Sequence, residues 1–224
     1  MYLHSSLKYR GMAGGIRWEQ FWERASEEKR SQAATGQYGQ ADPLAAFVQR
    51  RGCESVCSVG CGPAHVLFDL AERFPEREFV GIDVATSVIE QNRSRAELEN
   101  LEFAVDSLPR LDIDRRFDLV VCYGVLPYVE ASERAVVSLY ESVSRGGALV
   151  FDYPSREMPN AIRQAAADAD DPEWMRDRFR LVLARSNLLS YDRIHELTGR
   201  WPRKFNADGE ITGSRASPRV VVPK

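Results

Sequence analysis

The chain of 224 residues has no apolar run near the roughly twenty residues that a membrane span needs. Residues 1–15 also lack the continuous apolar stretch of a secretory signal, so a cytoplasmic protein with no membrane partner is expected. Positive charge is not in excess. Thirty Lys and Arg stand against 33 Asp and Glu, a net charge of −3, which gives no general drive toward nucleic acid. Cysteine is sparse: the four lie at Cys53, Cys57, Cys61 and Cys122. The first three run C-x3-C-x3-C, one residue off the C-x3-C-x2-C of an iron–sulfur site. Along a strand, moreover, four residues span roughly 13 Å and cannot share a cluster. Buried free thiols and no metal site are expected. No internal repeat or low-complexity tract is found.

What the chain does have is a distinctive turn. Val56-Cys57-Ser58-Val59 reads as a short apolar strand that runs into Gly60-Cys61-Gly62-Pro63-Ala64-His65, and Asp83 closes the next apolar run. A strand, a glycine turn that opens a helix, and an acid about twenty residues on let a nucleoside lie against bare backbone while a carboxylate takes its ribose hydroxyls. A dinucleotide site wants G-x-G-x-x-G, whose third glycine allows helix and strand to close around a pyrophosphate. Here that position is His65, a bulky side chain, whereas G-x-G-x-G gives Gly60, Gly62 and the small Ala64.

Downstream, strand and helix alternate. Strands are predicted at Val56–Val59, Phe79–Ile82, Leu101–Val105, Phe117–Cys122 and Ala148–Phe151. Between them fall a helix ended by Pro75, one started by a Ser87/Glu90 capping box, and one capped by Ser132 and stopped at Gly146. Such an order specifies an α/β fold: a Rossmann-like, doubly wound, mostly parallel sheet with right-handed crossovers, whose ligands sit beyond the strands' carboxyl ends. Asp83, Asp106, Tyr123 and Asp152 all stand at those ends. Upstream, Ile16–Ala34 reads as one amphipathic helix with Trp18, Phe21, Trp22 and Ala25 on one stripe, followed by a glycine-broken loop carrying Tyr38 and a helix Pro43–Arg51. Residues 154–189, with three prolines, an acidic cluster and an arginine run, read as an irregular helical insertion. Ser190 then caps a helix stapled by Leu189 and Ile194 and stopped by Gly199, before strand candidates at Arg203–Phe205 and Arg219–Val222.

From about Asp42 to Lys224 this order, with its Gly-Cys-Gly-Pro-Ala turn, resembles the class I S-adenosylmethionine (SAM)-dependent methyltransferases. The resemblance implies about seven strands, the last two an antiparallel hairpin, and SAM as cofactor. It divides the chain into a helical cap or lid, 1–41, and a methyltransferase domain, 42–224, with 154–189 on the substrate side. Gly60, Cys61, Gly62, Pro63 and Ala64 would let the methionine portion pass, Asp83 and Val84 would meet the ribose, and Asp106 with Ser107 the adenine. The segment Cys122-Tyr123-Gly124-Val125-Leu126 would line the side to which the methyl points, and Tyr38 could face the sulfonium through its ring. Each acid has a plain counterpart reading: Asp106 capping the turn toward Pro109, Asp83 capping a helix.

The acceptor is less legible. The segment Tyr123-Gly124-Val125-Leu126-Pro127-Tyr128 lacks the Asn/Asp-Pro-Pro-Tyr of amine methyltransferases that act on nucleic acid or protein. This favours a small-molecule acceptor methylated on O or N over C, within a biosynthetic pathway. Of the three histidines (His4, His65 and His195), His195 is the one candidate proton acceptor, beside Asp152 and Tyr153 past strand five. Rival readings remain open: a non-catalytic SAM-binding partner subunit, and an RNA methyltransferase using the arginines at 176, 178, 180 and 185. A homodimer is also left open. A nicotinamide reductase is disfavoured, because no tyrosine is followed four residues on by lysine.

Overall fold

The computed structural model describes residues 16–34, 41–207, 210–211 and 213–224. Tyr38 and His4 therefore lie outside the described residues. Five strands form the parallel part of a seven-stranded sheet: β1 (Ser55–Val59), β2 (Glu78–Asp83), β3 (Leu101–Val105), β4 (Phe117–Cys122) and β5 (Val143–Asp152). The chain then adds β6 (Arg203–Lys204), the small separate pair β7 (Asn206–Ala207) and β8 (Glu210–Ile211), and β9 (Arg219–Pro223). The order is β3-β2-β1-β4-β5-β9-β6, with β9 antiparallel to both β5 and β6. Strand order reverses between β1 and β4, which opens a crevice at their carboxyl ends.

Alternate side chains of the central strands enter different cores, so each strand reads as an unbroken apolar run. On β4, Leu119 and Val121 join Val56, Leu67, Leu70 and Phe79 on one face. Val120 and Cys122 join Cys57, Ile82, Val136 and Ile194 on the other. Each fully buried Leu or Ile contributes about 2 kcal/mol relative to exposure. The helices are α1 (Trp18–Arg24), α2 (Glu27–Ala34), α3 (Ala41–Arg51), α4 (His65–Arg73), α5 (Thr86–Arg95), α6 (Ser132–Glu141), α7 (Met158–Ala167), α8 (Pro172–Arg178), α9 (Arg180–Leu183) and α10 (Tyr191–Thr198). No helix among the described residues is long and apolar enough to cross a membrane.

Four local expectations are corrected. The helix expected over 16–34 is two helices: Ala25 is extended (ψ 148°), and Ser26 Oγ accepts from the Lys29 N–H to begin α2. No Ser87/Glu90 capping box forms. Asp83 Oδ1 accepts from the Ala85 N–H, the helix begins at Thr86, and the Glu19 carboxylate of α1 accepts from the Thr86 and Ser87 N–H groups instead. α6 is preceded by Ala131 with no side-chain cap, and Ser132 is buried within it. β5 begins five residues early, at Val143, because Gly146 (φ +83°) and Gly147 let the strand continue beside Asp118. Ser190, by contrast, caps α10 through the Arg193 N–H, and Gly199 ends it left-handed at φ +69°.

Candidate cofactor and acceptor site

The crevice holds a cavity of about 620 Å³, within the size range of small-molecule sites. Its floor is the turn after β1. Gly60 sits at φ +71°, and a Cβ there would lie 2.2 Å from Val125 Cγ2, so only glycine fits. The Gly60 and Cys61 N–H groups both donate to the Ile82 carbonyl, at 2.7 and 2.9 Å, tying the turn to the end of β2. Gly62 is gripped twice: its N–H donates to Asp83 Oδ2 at 2.9 Å, and its carbonyl accepts from Asn92 Nδ2 at 2.7 Å. Ala64, in the left-handed region at φ 56°, then leads into α4.

Asp83 is buried and lines the cavity. Burial pushes its carboxyl above the usual aspartate range, while the N–H groups of Ala85, Gly62 and Val84 pull the other way. These backbone donors leave part of the carboxylate's accepting capacity for a ligand hydroxyl. Val84, half-exposed, stands beside it on the wall. Asp106 and Ser107 line the cavity too, with the Asp106 carboxylate accepting from the N–H groups of Ser107 at 2.7 Å and Asp112 at 2.8 Å. It shapes the loop as well as facing the cavity.

The other wall follows β4. Tyr123 is buried, and its hydroxyl has no hydrogen-bond partner among the described residues. The Arg219 guanidinium lies 4.6 Å from its ring centre. Gly124 (φ +68°) donates its N–H to Asp152 Oδ1 at 2.8 Å. Over the mouth, Trp18 packs edge-on against Tyr128 at 4.9 Å, and the Arg178 Nε–H donates to the Tyr128 hydroxyl at 2.7 Å. Phe21 of α1 stacks on Trp174 of α8 at 5.6 Å. The N-terminal helices and the 154–189 insertion thus meet beside the cavity.

Of the residues singled out from sequence, Gly60, Gly62, Asp83, Val84, Asp106, Ser107 and Tyr123 line this cavity. Cys61 and Ala64 lie in the core beneath the turn, Cys122 lies in the other core, and Pro63 does not line the cavity. Asp152 stands behind Gly124, Tyr153 lines a different cleft, and His195 stacks on Trp201 at 4.0 Å. The structure therefore does not bring these three to the cavity wall. Gly124 and Val125, expected on the methyl side, and Trp18 and Trp22 of the aromatic stripe line the cavity as well, whereas no sequence signal pointed to Tyr128 and Glu130 on the lining or to Asn92 and Glu19 in support. The only hint of the aromatic pair was the Trp18–Trp22 stripe.

The described lining carries carboxylates at Asp83, Asp106 and Glu130 and no Lys, Arg or His. A diphosphate needs cations or free helix-terminal N–H groups. This wall offers aromatic faces and negative charge, which suit a cationic, nucleoside-like ligand. The orphaned Tyr123 hydroxyl on the wall is consistent with such a guest.

Fold and site define a Rossmann-like domain with a nucleoside-type cavity at its switch point. A family model, described as a methyltransferase domain, matches residues 52–198, and the chain belongs to that family, among the class I SAM-dependent methyltransferases. It is similar to a trans-aconitate 2-methyltransferase of Variovorax paradoxus, 30% identical over 148 residues, covering 64% of this chain and 57% of that protein. It also matches a malonyl-[acyl-carrier protein] O-methyltransferase of Acetivibrio thermocellus, 28% identical over 96 residues, 43% of this chain and 34% of that one. The chain thus spans about a third to somewhat over half of these relatives. Among solved structures, the plantazolicin methyltransferase BpumL in complex with SAH shares the fold at TM-score 0.65, with 10% identity and 92% and 93% coverage. The magnesium protoporphyrin IX methyltransferase of Synechocystis with bound SAH does so at 0.61, with 15% identity and 93% of each chain.

Proposed function

We propose that this chain is a SAM-dependent methyltransferase that methylates a small-molecule acceptor on oxygen or nitrogen. The observation that carries the reading is the cavity lining: a glycine floor, a buried aspartate at the end of β2 and aromatic walls, with carboxylates and no Lys, Arg or His among the described lining residues. SAM, when bound, supplies a methyl group on a positively charged sulfur. The Gly60–Gly62 backbone would pass the amino-acid portion, Asp83 would accept from the ribose hydroxyls, and the Asp106–Ser107 loop would meet the base.

The protein's part is placement and exclusion of water. Holding a nucleophile in line with the methyl carbon can supply roughly 7–11 kcal/mol of the barrier. Trp18, Trp22 and Tyr128 line the mouth, and the N-terminal helices with the 154–189 insertion form the lid that keeps water out. Asp152 acts at one remove: its carboxylate fixes the Gly124 N–H and so the wall against which the acceptor packs. Neither Tyr153 nor His195 is assigned a proton, since neither lines the cavity.

The relatives named above carry small or carrier-bound acids in their names, which supports a small acceptor and O-methylation. The test is incubation of the purified chain with methyl-labelled SAM and a panel of hydroxyl, carboxyl and amine acceptors. Label is expected in a small-molecule product together with adenosylhomocysteine. Binding of SAM with no transfer to any acceptor class, or label in RNA alone, would overturn the proposal.

A further inference from the structure

A second cleft of about 640 Å³ lies past the end of β5, and its character is the opposite of the first. Its walls carry Arg156, Lys204, Arg215 and Arg219 against the single carboxylate Glu157. In a chain with net charge −3, four converging cations are out of keeping with the rest of the surface. Some exposed arginines elsewhere are matched by acids, Arg73 by Asp42 and Asp69 and Arg193 by Glu133 and Glu196, but none of the other described cations gathers with three more around one cleft. Arg156, Lys204 and Arg215 make no ion pair with any described residue.

The cleft is built in advance. The loop carrying Arg215 is pinned to the entry of α7, where the Ser155 N–H donates to the Ala216 carbonyl at 3.0 Å and Ser155 Oγ to the Arg215 carbonyl at 2.7 Å. A turn closes the same loop, with the Ser214 N–H on the Ser217 carbonyl and the Ser217 N–H on Ser214 Oγ. Tyr153, almost wholly buried, forms the floor. Beside it the Tyr191 hydroxyl is shut off from solvent with no hydrogen-bond partner among the described residues. Cations that line one cleft against a single carboxylate, on a loop pinned by hydrogen bonds, are what a multiply charged oxyanion completes, since each charge-assisted contact is about twice as strong as a neutral one.

We propose that this cleft is a second ligand site, distinct from the cofactor cavity, that binds a small polyanion through carboxylate or phosphate oxygens. Lys204 and Arg215 supply the side-chain charge, and Tyr191 the neutral hydrogen bond. Only one layer separates the two sites. Arg219 lines this cleft and covers the ring of Tyr123, which lines the cofactor cavity, and Asp152 holds Gly124 on the cofactor side.

Calorimetric titration of the full chain with citrate and, separately, inorganic pyrophosphate tests this. Saturable binding of at least one probe is expected, undiminished by saturating adenosylhomocysteine. Citrate alone would indicate a carboxylate ligand, pyrophosphate alone a phosphorylated one, and both a site that reads charge. The exposed pair Lys204→Ala with Arg215→Ala should weaken binding at least tenfold, and Arg73→Ala should leave it unchanged. Asp83→Asn separates the two sites, because it should impair adenosylhomocysteine binding and spare the anion. No saturable binding of either probe, equal binding by the double variant, or displacement by adenosylhomocysteine would overturn the assignment.

Discussion

Replacing Asp83 with Asn probes the site at its most constrained group. The carboxylate accepts from Gly62 at 2.9 Å and from Ala85 at 3.0 Å in a buried position. Asn preserves the shape but turns one acceptor into a donor, so one of those N–H groups faces another N–H. An unsatisfied buried donor costs about 1–3 kcal/mol, and a lost charged acceptor for ribose hydroxyls costs about the same again in binding. The second loss corresponds to a Kd for adenosylhomocysteine raised roughly fivefold to 150-fold. Calorimetry gives the affinity and urea unfolding the stability. The pH dependence adds a sign. Burial raises the folded-state pKa of Asp83, so its favourable contribution to stability is present below the unfolded aspartate value and is lost as pH rises through the folded one. Ligand affinity runs the other way: below the raised pKa the protonated carboxyl accepts poorly, so binding weakens as pH falls through it. In Asp83→Asn that pH dependence should vanish. Wild-type affinity in the variant, or an unchanged pH profile, would refute the reasoning.

Gly60→Ala should cost about 1–3 kcal/mol from overpacking against Val125 and abolish measurable adenosylhomocysteine binding, read by urea midpoint and calorimetry. Glu19→Ala removes the acceptor at the start of α5 and should lower stability by about 0.5–2 kcal/mol, whereas the exposed Glu23→Ala should leave the midpoint in place. Cys57, Cys61 and Cys122 are buried thiols whose pKa burial pushes up, so a thiol reagent at pH 8 should label them only as the chain unfolds. Fast labelling of the native protein would contradict that packing.

The parallel sheet was legible because its signal is local. β3 and β4 begin and end where the apolar runs do, and Asp83 stands where the spacing from Gly60 places it. Helix starts were less legible, because local capping patterns compete with long-range partners. Ser87 with Glu90 looks self-sufficient, yet Glu19, more than sixty residues upstream, takes the job once α1 packs on α5. Proximity in sequence also misled within the glycine turn. Cys61 sits between the cavity-lining Gly60 and Gly62, and Ala64 just beyond them, yet both lie in the core beneath the turn. Asn92 and Tyr128 reach the site only through tertiary packing, which no spacing in the chain announces.

Parallel calorimetric titrations of the wild-type chain with adenosylhomocysteine and with NADH test the central claim most directly. The carboxylate-lined cavity should give saturable binding of the thioether nucleoside and no heat of binding with the dinucleotide. Saturable NADH binding with adenosylhomocysteine ignored would contradict the account.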